Sequence, residues 1–540
     1  MLSYRLTPAL EFKTSLGYTD YRMELYSTRP HTTHNPIEKL TSESSTVITS
    51  NASSQSWIVE PQMNWNTNWS KAGLEILIGV TFQHRETNSI NHRAFNFPSN
   101  SQILNLSAAA VVEVTSDEDS EYRYQSVFGR LNFNWDKKYI INVTGRRDGS
   151  SRFGPGRQFG NFWAVGAAWL FSEEGFIKDN GLLSFGKFRS SYGITGSDNI
   201  GDYGFFDSYT ISAAPYNGSA LLPTGLFNPS YAWEENKKFE AALELGFFRD
   251  RFRLNVAWYR NRSSNQLVGI PLPGTTGYPS VNANFDATVQ NTGLEVDFRS
   301  INIQNGHFKW TTTFNISVPR NKLVKFDGLE ASTFANQYVV GQPLSIVKTY
   351  HSLGVNPDTG VREFEDYNGD GIVSIGSSVD RQWIEDIGPK FYGGFGNTFN
   401  YNNWTFDAFF EYKQHRNSNT LVAHIGRFGS NTNISALDRW QQVGDQTQIG
   451  KATLNLSNDF GSRFLGSDAY ENTFFIRLRN IALTYRLPKA YSNGMDISIY
   501  LQGQNLLTFT KYKGVDPNSF TVNNQLPILK QFTLGLNLGF

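Results

Sequence analysis

The sequence predicts an all-β protein, a transmembrane antiparallel β-barrel of the outer-membrane type, and three observations lead to that prediction. The last ten residues, Gln531 to Phe540, alternate strictly between large apolar side chains and small or polar ones. Comparable runs recur along the chain, and their connections alternate between tight turns and long polar loops. Aromatic residues make up 15% of the chain, although its mean hydropathy is −0.40. A barrel with lipid outside and water inside has all three properties.

The closing strand is the clearest element. Its large apolar residues share one face, because side chains alternate along a strand; they are Phe532, Leu534, Leu536, Leu538 and Phe540. About 9–11 residues of tilted strand are enough to cross the hydrocarbon layer. Such a row would promote aggregation in a soluble protein. We therefore expect these five residues to face lipid and to serve barrel closure and assembly.

The composition excludes several classes of function. The 48 basic and 48 acidic residues balance, so no basic surface points to a nucleic-acid partner. The absence of cysteine excludes disulfides, cysteine-ligated zinc and thiol catalysis. No run approaches the roughly 20 apolar residues of a membrane helix. A membrane protein of this composition is therefore expected to be a barrel.

The alternating runs predict about sixteen strands, with tight turns at one end and long loops at the other. Their predicted bounds are 6–18, 56–65, 74–82, 128–135, 139–144, 161–171, 187–195, 239–248, 252–261, 294–300, 308–318, 391–401, 404–412, 475–487, 496–504 and 531–540. Residues 203–212 are predicted to form a local hairpin within a loop. A β-sandwich or propeller has no reason to sort its loop lengths by side.

One predicted strand leaves two interpretations open. In 475–487, Arg477 and Arg479 share the parity of Ile481, Leu483 and Tyr485, which would place two cations on the lipid-facing side. Either both arginines lie beyond the membrane, or a β-bulge switches the face.

A short loop resembles a calcium-binding loop. Asp366, Asn368 and Asp370 offer oxygen ligands at alternate positions, Gly371 permits a sharp turn, and Ile372 would add its backbone carbonyl. The bidentate acid expected at the twelfth position is missing, because Ser377 stands there. The sequence therefore leaves open a structural calcium ion or a solvated Asn/Gly/Asp turn. No other cofactor is predicted.

No pattern supports catalysis. The eight histidines form no HExxH motif, and there is no nucleophile elbow or phosphate-binding loop. His84 and Glu86 are expected in a solvated loop after a strand, and the adjacent Glu234 and Glu235 should point to opposite faces. Loop aromatics could stack on sugar rings, pack against a partner or pack within their loops; they are Tyr203, Phe205, Phe206, Tyr209, Trp233 and Phe428. The protein is therefore not expected to be an enzyme.

Segments spread over nearly the whole chain resemble the SusC/RagA family of TonB-dependent outer-membrane transporters of Bacteroidetes. They are YRYQSVFGRLNFNWDKKYIINVTGRRDGSSRFG (122–154), FRSSYGITGS (188–197), NPSYAWEENKKFEAALELGFF (228–248), NTGLEVDF (291–298), EDYNGDGIVS (365–374), LDRW (437–440), FIRLRNIALTYRLP (475–488), GQNLLTFTKYKGVDP (503–517) and the closing FTLGLNLGF.

The resemblance implies a barrel of about twenty-two strands with an amino-terminal plug. It also implies two protein partners: TonB, which drives uptake, and a SusD-like lipoprotein, which captures oligosaccharides or peptides. Loops 197–237, 263–290 and 319–390 are expected to meet that lipoprotein and the substrate. The family also suggests that the assembly machinery recognises the closing strand.

The amino terminus departs from this family pattern. Residues 1–12 show no leader, so we expect residues 1–540 to be the carboxy-terminal barrel portion. The signal, the plug and about six strands would be missing. The alternatives are a passive porin or adhesin barrel without a plug, and a soluble secreted glycan-binding protein.

Overall fold

The computed structural model is built almost entirely from β-strands. It describes residues 1–178, 181–214, 218–278, 280–373, 378–418, 434–452, 466–488, 490–491, 494–518 and 527–539. In chain order the strands are β1 Leu2–Thr7, β2 Leu10–Arg29, β3 Thr46–Trp69, β4 Ala72–Phe95, β5 Val111–Trp135, β6 Tyr139–Ser150, β7 Phe159–Trp169, β8 Leu183–Ser197, β9 Ser208–Ala214, β10 Gly218–Gly225, β11 Glu234–Phe247, β12 Phe252–Ser264, β13 Gln266–Pro271, β14 Ser280–Phe285, β15 Ala287–Gln304, β16 Phe308–Phe326, β17 Ile346–Thr349, β18 Ser352–Val355, β19 Arg362–Phe364, β20 Trp383–Asp386, β21 Phe391–Tyr401, β22 Trp404–Ser418, β23 Tyr470–Arg486, β24 Asp496–Thr510 and β25 Gln531–Gly539.

Short 3-10 helices lie in the connections. They are His31–Thr33, Pro36–Glu38, Ser42–Ser44, Asn100–Gln102, Leu106–Ala108, Phe171–Glu173, Gly274–Thr276, Leu329–Ala331, Ile434–Asp438 and Ser467–Ala469. Among the described residues, no helix has the length and apolar character needed to cross a membrane.

Seventeen of the described strands form one large sheet. Strands that follow one another in the chain pair antiparallel, as β2 does with β3 and β3 with β4. The other strands form separate two-stranded sheets, β9/β10, β13/β14, β17/β20 and β18/β19. The predicted all-β antiparallel fold is confirmed. A local hairpin also lies in the loop after β8, but its strands are β9 and β10, so the predicted bounds of 203–212 are wrong.

Two compact units can be distinguished in the chain. The first unit comprises residues 1–167, 191–237 and 264–285, and the second comprises residues 168–190, 238–263 and 286–540. The first unit contains the longest strands, β3, β4 and β5, which have 24, 24 and 25 residues. The second unit contains the closing strand and the long insertion between β16 and β21.

The first predicted strand, 6–18, is wrong as a single element. The chain turns at Pro8-Ala9, between β1 and β2, and Thr7 Oγ1 accepts hydrogen bonds from the backbone N–H groups of Ala9 and Leu10. Proline has no N–H to donate to a ladder, so it is confined to strand ends, edges and bulges. This extra turn is one reason why the sheet has seventeen strands rather than about sixteen.

Several strands also extend further toward the long loops than the sequence predicts. The prediction ended the strand of β4 at Phe82, whereas β4 continues to Phe95; β5 begins at Val111 rather than Phe128. Polar residues dominate both faces over most of these extensions, as in 83–89 of β4 and 115–121 of β5, so the apolar alternation that marks a strand is absent there. As a consequence, His84 and Glu86 lie within a strand, and their predicted position in a loop is wrong.

One face of the sheet in the first unit carries rows of large apolar side chains, and we call it the apolar face. Near the tight turns, one cross-strand row contains Trp69, Ala72, Trp135 and Tyr139. Toward the loops lie Met63 opposite Ile78, then Val59 opposite Phe82. The opposite face, which we call the polar face, carries Glu60, Glu75 and Arg130.

The apolar face has the height of a membrane. From Trp69 to Trp57, strand β3 advances twelve residues. That is about 40 Å along the strand, or about 30 Å along the membrane normal at a tilt of about 40°. Aromatic residues lie at both limits of this band, as in the two girdles of outer-membrane barrels.

The closing strand presents its predicted apolar row. Phe532, Leu534, Leu536 and Leu538 are 73%, 76%, 57% and 51% exposed, so no protein interior covers them. Leu534 and Leu536 lie opposite Leu501 and Ile499 of β24, which continue the row. The predicted Phe540 lies outside the described residues.

The ambiguity at Arg477 and Arg479 is resolved by a β-bulge. The register of β23 skips Arg479, because Leu478 pairs with Phe410 and Asn480 pairs with Phe409 of β22. The same irregularity occurs against β24, where Asn505 has a φ of +55°. The bulge switches the face, so Arg477 lies on the side of Glu411 and away from the row that contains Leu483.

Candidate functional site

The polar face of the first unit is lined by charged and amide side chains near the tight turns. Arg130 Nη2 lies 2.5 Å from Glu75 Oε1. The side-chain oxygens of Asn64, Asn134 and Asn142 are buried, and within the described residues they have no hydrogen-bond partner. Buried acceptors of this kind require water or another polar surface. The polar face is therefore suited to a solvated lumen or to a polar partner.

A cavity of about 560 Å³ opens on the polar face further along the same strands. Its wall combines aromatic rings, among them Tyr122, Tyr124 and Trp233, with charged groups. Arg146 Nε donates to both carboxylate oxygens of Asp148 at 2.8 Å, and Arg146 Nη2 donates to Tyr124 Oη at 2.6 Å. Rings beside fixed hydrogen-bonding groups form a preorganised surface for polar ligands such as sugars or peptides.

Asp198, which directly follows β8, connects this wall to the loop beyond it. Its Oδ2 atom accepts hydrogen bonds from Tyr122 Oη at 2.7 Å and from Ser150 Oγ at 2.8 Å. Arg152 donates to the Asp198 carbonyl at 2.9 Å and to Asp202 Oδ1 at 2.7 Å. The Arg152 guanidinium lies 4.3 Å from the centre of the Tyr122 ring. These contacts hold the start of the predicted contact loop 197–237 against the polar face.

An aromatic cluster forms the interior of the same loop region. Its buried members are Phe153, Phe162, Phe205, Tyr231 and Trp233. Trp233 Nε1 donates to the Gln158 carbonyl at 2.9 Å, and the Phe153 and Trp233 rings lie 4.8 Å apart. Burial raises the pKa of the Tyr231 hydroxyl. The cluster gives a long loop a small core of its own.

The predicted loop aromatics therefore divide into two groups. Phe205 and Trp233 pack within the cluster, whereas Tyr203, Phe206 and Tyr209 are exposed. Phe428 lies outside the described residues. The exposed rings are available for a ligand or a partner; the buried ones shape the loop.

The second unit has a cavity of its own, with a volume of about 630 Å³. Glu244, Arg253, Asp297 and Arg299 contribute charges to its wall. Glu244 also accepts a hydrogen bond from Arg189 Nε at 2.8 Å. This ion pair across neighbouring strands compensates the charge of Glu244.

The longest predicted loop, 319–390, contains two short strand pairs. Strand β16 continues to Phe326, and the insertion then contains β17/β20 and β18/β19. Arg362 of β19 is buried and pairs with Asp468, and Arg416 Nη1 lies 2.6 Å from Glu385 Oε2. A loop that is held by ion pairs in this way presents a fixed surface.

The predicted calcium loop is closed by its own hydrogen bonds. The backbone N–H groups of Gly369 and Gly371 donate to Asp366 Oδ1 at 2.8 Å and Oδ2 at 2.6 Å. Hydrogen bonds from the Asn368 side chain and the Ile372 backbone hold the pKa of Asp370 below its ordinary value. Gly369 and Gly371 have φ angles of +72° and +82°, which suit glycine. Ser374 and Ser377, at the ninth and twelfth positions, lie outside the described residues.

The structure also brings together three titratable side chains, those of His84, Glu86 and Glu121, which no sequence pattern connected. Glu86 lies directly opposite Glu121, and His84 Nε2 is 2.7 Å from Glu121 Oε1 and 3.8 Å from Glu86 Oε1. Opposed carboxylates destabilise a sheet, and here His84 and Arg123 lie beside them. The sequence did not predict that Glu121 lies beside His84, because the two residues are far apart in the chain and the strand extensions that bring them together were not predicted.

Comparisons with known proteins place the chain in a family. Residues 1–421 match the family model described as TonB dependent receptor-like, beta-barrel. The TonB-dependent receptor P3 of Formosa agariphila is 28% identical over 100% of this chain and 57% of its own length. SusC of Bacteroides thetaiotaomicron is 25% identical over 77% of this chain and 43% of its own length.

Solved structures show the same fold. A structure of the RagAB peptide transporter superposes with a TM-score of 0.84 and 24% identity, covering 100% of this chain and 61% of the matched chain. The chain belongs to the TonB-dependent receptor-like β-barrel family. The predicted barrel class, the outer-membrane location and the SusC/RagA resemblance are thereby confirmed, and the family is one of transporters rather than enzymes. The chain spans about half the length of the curated relatives, from 43% to 58%.

Proposed function

We propose that this chain forms the barrel wall of a TonB-dependent importer of the SusC/RagA type, which takes up oligosaccharides or peptides together with a SusD-like lipoprotein. The observation that carries the proposal is the pairing of an apolar face of membrane height with a polar face that bears a preorganised aromatic and charged cavity. The family membership supports the same reading.

The chemistry of the polar face fits both proposed substrate classes, oligosaccharides and peptides. Tyr122, Tyr124 and Trp233 offer rings, while Glu60 and Asp148 offer carboxylates among fixed donors. Rings stack on sugars, and paired charges bind the polar backbone of a peptide, so both classes remain within the proposal. The exposed loop aromatics and the insertion 327–390, which is held by ion pairs, offer contacts for a lipoprotein above the barrel.

The test is energised uptake by the full-length protein in its native outer membrane. Fluorescent oligosaccharides and oligopeptides are supplied separately to wild-type cells and to a strain that lacks the gene. We expect one substrate class to enter only in wild-type cells, and uptake to stop when an uncoupler collapses the proton-motive force. Affinity purification is expected to recover a SusD-like lipoprotein with the barrel.

The same experiment separates the alternatives. Uptake that persists without the proton-motive force would favour the passive porin. Unchanged uptake of both substrate classes in the deletion strain, with no co-purifying lipoprotein, would refute the importer and leave an adhesin. The outer-membrane family already argues against the soluble glycan-binding protein.

We further propose that the loop at Asp366–Ile372 holds a structural calcium ion. Asp366, Asn368 and Asp370 would supply side-chain oxygens and Ile372 a carbonyl, which are ligands that Ca²⁺ prefers. Calcium is expected to protect this loop from limited proteolysis, and a double Asp366→Ala, Asp370→Ala variant should lose that protection. An Asp358→Ala variant, in a neighbouring exposed turn, is the control. Equal cleavage with and without calcium in the wild type would refute the ion.

A further inference from the structure

The apolar face of the first unit contains a groove. It has a volume of about 660 Å³ and lies where the apolar rows end, on the loop side of the membrane band. Trp57, Phe82 and Phe159 line it, and these rings are 43%, 45% and 46% exposed. All three belong to the face that contacts lipid, so the groove opens toward the membrane and away from the polar cavity.

A glycine creates the depth of this groove. Gly149 lies opposite Gln125, and both line the groove. A Cβ atom on Gly149 would come within 2.6 Å of the Phe159 ring, so the ring lies directly over the bare backbone. The floor is therefore a flat aromatic surface of the kind that packs against sugar rings and acyl chains.

Two arginines flank the Gln125–Gly149 pair. Arg147 lies one row toward the tight turns, opposite Val127, and Arg123 lies one row toward the loops, opposite His84. The Arg147 guanidinium is 5.1 Å from the centre of the Phe159 ring and donates to Asn161 Oδ1 at 3.1 Å. Within the described residues these contacts of Arg147 are uncharged, so its cation lies at the end of a lipid-facing row without an acid.

The second arginine, Arg123, is paired with an acid, Glu121, and a second acid, Glu86, lies opposite Glu121. Arg123 Nε and His84 Nε2 lie 2.6 Å and 2.7 Å from the same oxygen of Glu121. The Arg123 side chain is 71% exposed, which leaves its remaining N–H groups accessible. A cation at the boundary of a bilayer is stabilised by an anionic lipid headgroup, and arginine binds phosphate through paired N–H donors.

We propose that this groove binds a phosphorylated glycolipid of the outer leaflet. The phosphate is held by Arg147 and Arg123, the sugar rests on Trp57, Phe82 and Phe159, and the acyl chains follow the apolar row through Val127 and Ile78. The groove is continuous with the lipid-facing surface, and Arg147, which flanks the groove and whose described contacts include no acid, matches the phosphate charge. This site lies on the opposite face of the sheet from the polar cavity, although Gln83 and Tyr124 border both, so the proposal goes beyond transport.

Native mass spectrometry of the full-length protein in detergent tests the site. The probes are monophosphorylated lipid A and the same lipid without its phosphate. We expect the wild type to bind the phosphorylated lipid at least about tenfold more tightly, because a charge-assisted hydrogen bond to phosphate typically contributes that much. Equal binding of both probes would overturn the proposal without the need for any variant.

Variants then locate the site. An Arg123→Gln, Arg147→Gln double variant is expected to bind the phosphorylated lipid as weakly as the wild type binds the dephosphorylated one. Arg22→Gln is the matched control, since Arg22 is an exposed arginine of β2 that pairs with Asp20 away from the groove. Heat-modifiable migration on gels confirms that each variant is folded. An equal loss in Arg22→Gln, or no loss in the double variant, would show nonspecific binding and refute the site.

Discussion

At the scale of single residues, the buried cation of Arg477 lies beside an acid that compensates it. Arg477 is 2% exposed; its Nη2 lies 2.9 Å from Asp516 Oδ1 and its Nε donates to Thr508 Oγ1 at 3.0 Å. The β-bulge at Arg479 makes this possible, because it turns Arg477 away from the row that contains Leu483. A buried ion pair of this kind is sensitive to the removal of one partner.

We predict that Arg477→Gln lowers the free energy of unfolding by about 3–5 kcal/mol, because Asp516 is left as a buried charge without a cation. Urea unfolding of the full-length protein in detergent, followed by tryptophan fluorescence, measures the change. Arg479→Gln is the control, since Arg479 is exposed and its change should be within about 0.5 kcal/mol. An Arg477→Gln, Asp516→Asn double variant should recover part of the loss; a double variant as damaged as the sum would contradict the explanation.

The lowered pKa of Asp386 predicts how the two-stranded sheet β17/β20 responds to pH. Burial by itself raises the pKa of Asp386, but Lys390, Gly388 and Ser345 donate hydrogen bonds that outweigh burial and hold the pKa below 3.8. A carboxyl whose pKa falls on folding stabilises the fold above its unfolded pKa and loses that contribution as the pH drops through the folded value. We therefore expect amide protection in β17 and β20, corrected for intrinsic exchange, to decline progressively as the pH falls from about 5 toward the lowered pKa of Asp386. An Asp386→Asn variant should be less protected at neutral pH and should show a smaller decline; an unchanged pH profile would exclude the mechanism.

At the scale of the element, the alternation of side chains decides which face of a strand meets lipid. In β25, Leu534 is 76% exposed and lies opposite Leu501, whereas Thr533 lies opposite Gln502. The same register continues the apolar row from the closing strand into β24. The two faces of β25 therefore lie in different environments, and substitutions at two neighbouring residues can distinguish them.

We predict that Leu534→Arg impairs barrel assembly much more than Thr533→Arg does. An arginine on the lipid-facing side of an outer-membrane barrel costs about 2–4 kcal/mol near the midplane, whereas the polar side tolerates it. The measurement is the fraction of full-length protein that reaches the heat-modifiable, folded form in the outer membrane. Comparable assembly of the two variants would mean that the apolar row of β25 does not contact lipid.

At the scale of the whole molecule, tight turns and long loops fall at opposite ends of the strands. The turn 136–138 joins β5 and β6, whereas residues 30–45 join β2 and β3 at the other end. The chain contains no cysteine, so single cysteines can report on each end without background.

We predict that a membrane-impermeant maleimide labels Ile37→Cys but not Lys137→Cys on intact cells. Ile37 is 83% exposed in a long loop, and Lys137 is exposed in the turn between β5 and β6. Both variants should be labelled after the outer membrane is permeabilised, which controls for reactivity. Labelling of Lys137→Cys alone on intact cells would invert the topology and remove the proposed lipoprotein surface.

The sequence by itself determined the strands that lie within the membrane band, because lipid on one side and water on the other impose a period of two. The residue pattern was therefore enough to predict β21, the row from Phe532 to Leu538 and the sorting of loop lengths. It could not locate the strand extensions in β3, β4 and β5, since a strand with water on both sides has no such period.

The tertiary structure alone decided which distant residues meet. The contacts of Asp198 with Tyr122 and Ser150, of Arg477 with Asp516, and of Glu121 with His84 join residues that no local pattern connects. Strand register fixes these pairs, and one bulged residue at position 479 reverses the face for everything before it in β23. The contacts on the polar face and the groove lined by Trp57, Phe82 and Phe159 depend on strand register. Register is set by pairing between strands and not by the order of residues within a single strand.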